Sequence, residues 1–183
     1  AKKFPERVQC LSYGTTPENR SLPYLVVGNE KDPTVWVQAG IHAGEIDGKD
    51  AVFYILKEVL EKRIKPDPLK GLRLVFIPIV NLDGHERFAA WNRPNQVGPE
   101  EMGGRTTAQN LNLNRDFMKA DTPEMQALLK LWHKMNPALS LDLHVTNGAQ
   151  FQPEVGLIVH PVVQYGSTPL HAAGTEFETA LLK

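Results

Sequence analysis

The sequence predicts an α/β domain with a mixed, largely parallel sheet flanked by helices, expected to be incomplete at its C-terminal end. Two patterns carry this expectation. YLVVGN, TVWVQAG, LRLVFIPIV and LSLDLHV are short, mostly continuous apolar runs, the mark of strands covered on both faces. Between them, GKDAVFYILKEVLEKR and TPEMQALLKLWHKM repeat apolar residues at helical spacing, and strands alternating with helices stack into layers around a sheet. The second helix opens with Thr122-Pro123, a pair suited to the N-cap and first helical positions. From about Asp83 to Asn110 the chain is rich in Gly, Pro, Asn and Arg and loses periodicity. A loop of that length inside a compact domain is usually functional or disordered. No repeat or composition break appears, so residues 1–183 read as one domain.

Composition narrows the function classes. With 183 residues, 42% hydrophobic and 22% charged, the chain can bury a real core. A formal net charge of −1 with interspersed signs offers no basic field, so nucleic acid is not an expected partner. No apolar run approaches the ~20 residues that span a bilayer, and AKKFPERVQC lacks the apolar stretch of a signal peptide. A soluble protein without membrane partners is expected, its compartment unknown. Cys10 is the single cysteine, which excludes an internal disulfide and a thiolate metal cluster; it reads as a small buried hydrophobe.

Chemistry concentrates where strands end. In QAGIHAGEID, His42 and Glu45 follow an apolar run, with Gly40 and Gly44 available for a tight turn. Ligands of open α/β sheets bind at the carboxyl ends of strands. Imidazole plus carboxylate is two-thirds of a catalytic zinc site, although His-x-x-Glu alone equally describes a surface pair without metal. His144 ends another apolar run in LSLDLHVTNG and supplies a possible third ligand at the same rim. Asp142, two residues earlier, shares its strand face. It could orient a ligating imidazole, bind substrate, or bond loop amides. In NLNLNRDF, Asn114 and Arg115 close the long loop near that rim. A fixed guanidinium beside a metal suits a substrate carboxylate through two parallel bonds, and a surface salt bridge is the alternative.

GIHAGE, NLDG, NLNR and DLH, in this order, resemble the zinc carboxypeptidases of the carboxypeptidase A type, from about Val35 to Thr146. The resemblance implies one zinc ion held by His42, Glu45 and His144, and a peptide carboxylate held by Asn114 and Arg115. The family's Asn-Pro-Asp-Gly turn is matched by Asn81-Leu82-Asp83-Gly84, with leucine in place of proline. The arginine that polarises the scissile carbonyl is matched first by Arg93 in WNRPN, and second by Arg105. Pancreatic-type members bond a zinc histidine with an aspartate two residues before the Asn-Arg pair, where this chain has Asn112.

The implied reaction is metal-assisted hydrolysis of the C-terminal amino acid from peptides, with zinc-activated water and Arg93 at the oxyanion. The family's general base is a glutamate on a strand well beyond the third ligand. Glu154 lies too close to His144, and Glu176 and Glu178 fall in TEFETALLK, which reads as helix, so none is assigned. The base is expected beyond Lys183, in a catalytic domain of which this chain is the N-terminal part. DLHVTNG also resembles zinc acylases of the aspartoacylase and succinylglutamate desuccinylase type, which would make a small N-acyl amino acid the substrate. A non-catalytic metal-binding relative is the third reading.

Overall fold

A computed structural model describes residues 1–159 and 169–181. It resolves into two compact units, Ala1–Ala149 and Gln150–Lys183. The first holds a five-stranded sheet: β1 (Val8–Thr15), β2 (Ser21–Val27), β3 (Thr34–Ala39), β4 (Arg73–Ile77) and β5 (Leu139–Leu143), in the spatial order β1-β2-β4-β3-β5. β3 runs parallel to both β4 and β5, whereas β1 with β2 and β2 with β4 are antiparallel. The sheet is therefore mixed, with its parallel part confined to β4, β3 and β5.

Alternation along the central strands sends successive side chains to two cores. Trp36, Val75 and Ile77 join Tyr24 and Val26 on one face, where Met125, Leu128 and Leu131 of α3 (Pro123–Met135) cover them. Val37, Ala39, Leu74 and Phe76 point the other way, beneath Leu56 of α1 (Asp47–Leu60). The Thr122 side chain caps α3 by accepting from the Met125 N–H at 3.2 Å, and Asn136 ends the helix in the left-handed region.

This topology creates the site. The chain leaves β3 through α1 to reach β4 on one side, then crosses the opposite face through α3 to pair β5 on β3's other side. The carboxyl ends of β3 and β5 are neighbours, so the turns that follow them meet in a crevice at one rim.

Three expectations change. Among the described residues β5 is an edge strand, its leucines half-buried and Ser140 and Asp142 exposed, so it is not covered there on both faces. β1 is a further strand that its mixed polar sequence did not announce, and Cys10 on it is exposed rather than buried. The long loop has internal structure: the short helix α2 (Leu82–Glu86), capped by Asn81, and an isolated antiparallel bridge between Ala89 and Met102. Leu82 occupies the first helical position, where the absence of proline costs little. Asp83 of α2 is buried and accepts from Thr16 Oγ1 at 2.7 Å and Arg20 Nη1 at 2.6 Å, tying the loop to the β1–β2 hairpin.

The second unit contains α4 (Pro169–Leu181), which carries Glu176 and Glu178; Glu154 lies in irregular chain, and all three are exposed. Among the described residues, no helix is long and apolar enough to cross a membrane.

Candidate functional site

Residues 40–46 turn the chain from β3 into α1. Gly40 takes φ +63°, which lets the turn begin. Gly44 serves a different need: a Cβ there would lie 2.5 Å from the Gly103 carbonyl and 2.9 Å from Arg93 Cγ. Its missing side chain is the space through which Arg93 reaches inward. The resulting turn buries His42 and Glu45, 3% and 2% exposed, with His42 Nδ1 2.9 Å from Glu45 Oε1.

His144 arrives from the adjacent strand end. Its Nδ1 is 3.1 Å from Glu45 Oε2, and the Val145 N–H donates to the same oxygen at 2.9 Å. The two imidazoles stand 5.2 Å apart between ring centroids. One ligand atom from each of His42, Glu45 and His144 lies within 4.8 Å of the others. Two imidazole nitrogens and one carboxylate oxygen are donor types that catalytic zinc sites use, and here they converge half-enclosed. Asp142 Oδ2 is 3.1 Å from His144 Nε2, the outer carboxylate that a ligating histidine commonly has. The residues fit a zinc ion.

His42 lacks such support: among the described residues its buried Nε2 has no partner. Asn112 does not supply one, since its carboxamide oxygen accepts from the Asn114 N–H at 3.0 Å and caps a 3-10 turn over Leu113–Arg115.

Arginines complete the cluster. Arg93, 7% exposed, donates through Nη2 to Glu45 Oε1 at 2.9 Å and to Asn147 Oδ1 at 3.0 Å; among the described residues its Nη1 is buried without a partner. Arg105 Nη1 donates to Asn147 Oδ1 at 3.1 Å and stands 3.9 Å from Glu45 Oε1. Burial opposes ionisation of Glu45, but hydrogen bonds from His144, His42, the Val145 amide and Arg93 outweigh it and hold the carboxyl well below the usual carboxylate range. The Asp142 and Glu45 carboxylates raise His144 to about 9.

The crevice thus brings together His42, Glu45, Asp142, His144, Arg93 and Arg105. Asn114 and Arg115 stand apart from it in bonding. Asn114 is half-buried, and among the described residues the Arg115 guanidinium bonds only the Asn114 carbonyl, at 2.9 Å, with its fork exposed. Asn147 was not anticipated, because Thr-Asn-Gly after a strand reads as a plain turn.

The zinc carboxypeptidase family profile matches residues 1–153. An inactive metallocarboxypeptidase, ECM14, of Ajellomyces dermatitidis is 35% identical over 95 residues, covering 46% of this chain and 16% of the relative. Carboxypeptidase A4 of Mus musculus is 31% identical over 101 residues, covering 51% of this chain and 24% of the relative. Among solved structures, a metallo-carboxypeptidase from Burkholderia cenocepacia superposes with TM-score 0.64 at 22% identity, covering 82% of this chain and 39% of that one. Carboxypeptidase A from Helicoverpa armigera gives 0.56 at 20% identity, over 80% and 42%. The chain therefore spans less than half the length of each of these relatives. Over residues 1–153 it belongs to the zinc carboxypeptidase family.

Proposed function

We propose that residues 1–183 form the metal-holding and substrate-anchoring part of a single catalytic domain that removes the C-terminal amino acid from peptides. His42, Glu45 and His144 hold one zinc ion. When bound, zinc supplies a Lewis acid for the scissile carbonyl and brings the pKa of a water toward ~7. Asp142 fixes the His144 ring through Nε2, so that Nδ1 faces Glu45. Arg93 brings buried guanidinium donors to the edge of the triad, where an oxyanion would otherwise develop without a partner. Asn114 and Arg115 anchor the substrate carboxylate, for which the exposed fork of Arg115 offers parallel donors. The general base is assigned to none of Glu154, Glu176 and Glu178, and is proposed to lie outside residues 1–183.

The observation that carries this reading is the convergence of His42, Glu45 and His144 within 4.8 Å, with the Arg93 guanidinium on the same carboxylate. The test is zinc stoichiometry of the purified chain alongside turnover of peptides and N-acyl amino acids by the intact protein. One zinc per chain, lost in His42→Ala and in His144→Ala, with peptides as the better substrates, is expected. Full zinc retention in both variants would remove the metal assignment, and preference for N-acyl amino acids would make the protein an acylase. A non-catalytic reading is favoured by one fact: the relatives that share 35% identity are named inactive. Stoichiometric zinc without turnover in the intact protein would decide for it.

A further inference from the structure

Asn147 Oδ1 accepts hydrogen bonds from both Arg93 Nη2 and Arg105 Nη1, at 3.0 and 3.1 Å. A carboxamide oxygen has two lone pairs and no charge, so it can hold two guanidiniums side by side without neutralising either. The backbone around this meeting point is tightly built. Gly148 takes φ +88°, and a Cβ there would lie 1.6 Å from the Asn95 carbonyl oxygen, so the turn carrying Asn147 presses directly on the loop carrying Arg93. Gln96 Nε2 adds a hydrogen bond to the Thr146 carbonyl across the same contact. On the Arg105 side, a Cβ on Gly103 would meet the Gly84 carbonyl at 2.7 Å, which seats that loop against α2.

Charge gives this arrangement a purpose. Both guanidiniums lean on Glu45, yet Glu45 already accepts from the Val145 amide and faces both imidazoles. It cannot satisfy them: among the described residues Arg93 Nη1 is buried without a partner, and Arg105 reaches Glu45 only at 3.9 Å. A divalent cation on the triad would add positive charge and occupy the same carboxylate. An anionic ligand group is the missing counterpart.

We propose that Asn147 assembles Arg93 and Arg105 into a paired guanidinium clamp, in which Arg105 takes a second carboxylate of the substrate, so that peptides with an acidic side chain next to the scissile bond are preferred. This rests on the proposed peptidase reading, in which Arg93 serves the reacting carbonyl and Arg115 the terminal carboxylate. Asn147 is a positioning residue and Arg105 the specificity contact. Arg105 is about one-third exposed, so its substitution leaves the fold in place.

The test is calorimetric titration of the intact protein with the dipeptide pairs Glu-Ala against Gln-Ala and Ala-Glu against Ala-Gln, which differ only in side-chain charge. In one pair or both, the glutamate member should bind on the order of tenfold more tightly, the worth of one charge-assisted contact. Arg105→Ala should erase the difference. Asn147→Ala should reduce it, and Asn147→Asp, which keeps an acceptor but sets a negative charge between the two guanidiniums, should abolish it while the glutamine members bind as before; a merely structural turn residue would not distinguish charged from neutral ligands. Absence of a glutamate preference in both pairs, or a preference that survives Arg105→Ala, overturns the clamp. A protein that retains the Arg105-dependent preference while neither holding zinc nor hydrolysing peptides would support the clamp and defeat the peptidase reading.

Discussion

Asp142 Oδ2 lies 3.1 Å from His144 Nε2, while the other nitrogen of the same ring faces Glu45 at 3.1 Å. The two carboxylates fix which nitrogen of His144 points into the triad. Among the described residues the neighbouring histidine has no equivalent, since His42 Nε2 is buried and unpartnered. The proposed zinc site therefore has one braced imidazole and one held by packing.

Asp142→Asn is expected to weaken zinc binding by ~10–100-fold, the usual cost of losing a carboxylate behind a ligating histidine. Asp142 is about one-third exposed on an edge strand, so the fold should persist. Competition against a chelator of known affinity measures this. Unchanged affinity in the variant would show that Asp142 does not brace the ligand.

Gly148→Ala is expected to separate the Asn147 turn from the loop bearing Arg93. The added Cβ would overlap the Asn95 carbonyl at 1.6 Å, and φ +88° is unfavourable for alanine even without the overlap. A loss of at least ~1 kcal/mol is expected from the backbone conformation alone. Urea denaturation of the two proteins reads it, and equal midpoints would mean that the two segments are not in contact.

The fold was largely legible because β2, β3 and β4 are apolar runs and α1 and α3 keep their period. β1 was not, since VQCLSYGT mixes small, polar and apolar residues on an outer hairpin that is mostly exposed. β5 was legible as a strand but not as an edge, because edge position depends on what pairs beyond it. At the site, His42, Glu45 and His144 could be grouped since each follows a strand that emerges at one rim. Asn147 could not: its role depends on Gly148 admitting a second loop, a contact between segments far apart in sequence. The burial of Glu124 in the first turn of α3 was hidden for a related reason, as an acidic residue there is ordinarily a solvated partner of the helix dipole.

Arg115→Lys in the intact protein is expected to impair hydrolysis of free-acid peptides, because lysine keeps the charge but loses the two parallel donors. The exposed fork of Arg115, tethered only to the Asn114 carbonyl among the described residues, is what makes this geometry available. Amidated peptides should be poor substrates of the parent protein and should be little changed by the substitution. Equal rates on free-acid and amidated peptides would remove the role from Arg115.

Glu124 sets a pH dependence of stability that is independent of the metal site. It is fully buried in the first turn of α3, and among the described residues neither carboxylate oxygen has a partner. Burial first, then the nearby Asp83 and Asp116 carboxylates, push its pKa above the ordinary 4.5, with only its own backbone amide opposing. The Tyr13 hydroxyl is likewise buried and, among the described residues, unpartnered, while Arg20 is engaged by Asp83 and Glu18. Because the folded chain holds this proton more tightly than the unfolded chain, stability falls as pH rises from the unfolded value of about 4.5 through the raised folded value. Below that window the penalty is absent. Glu124→Gln keeps the shape and removes the ionisation, so relative to the parent it should be more favourable at pH 7 than at pH 4. Urea midpoints of both proteins at the two pH values decide this. A difference that is the same at both, or larger at pH 4, would mean that Glu124 ionises in the folded chain as readily as in the unfolded one.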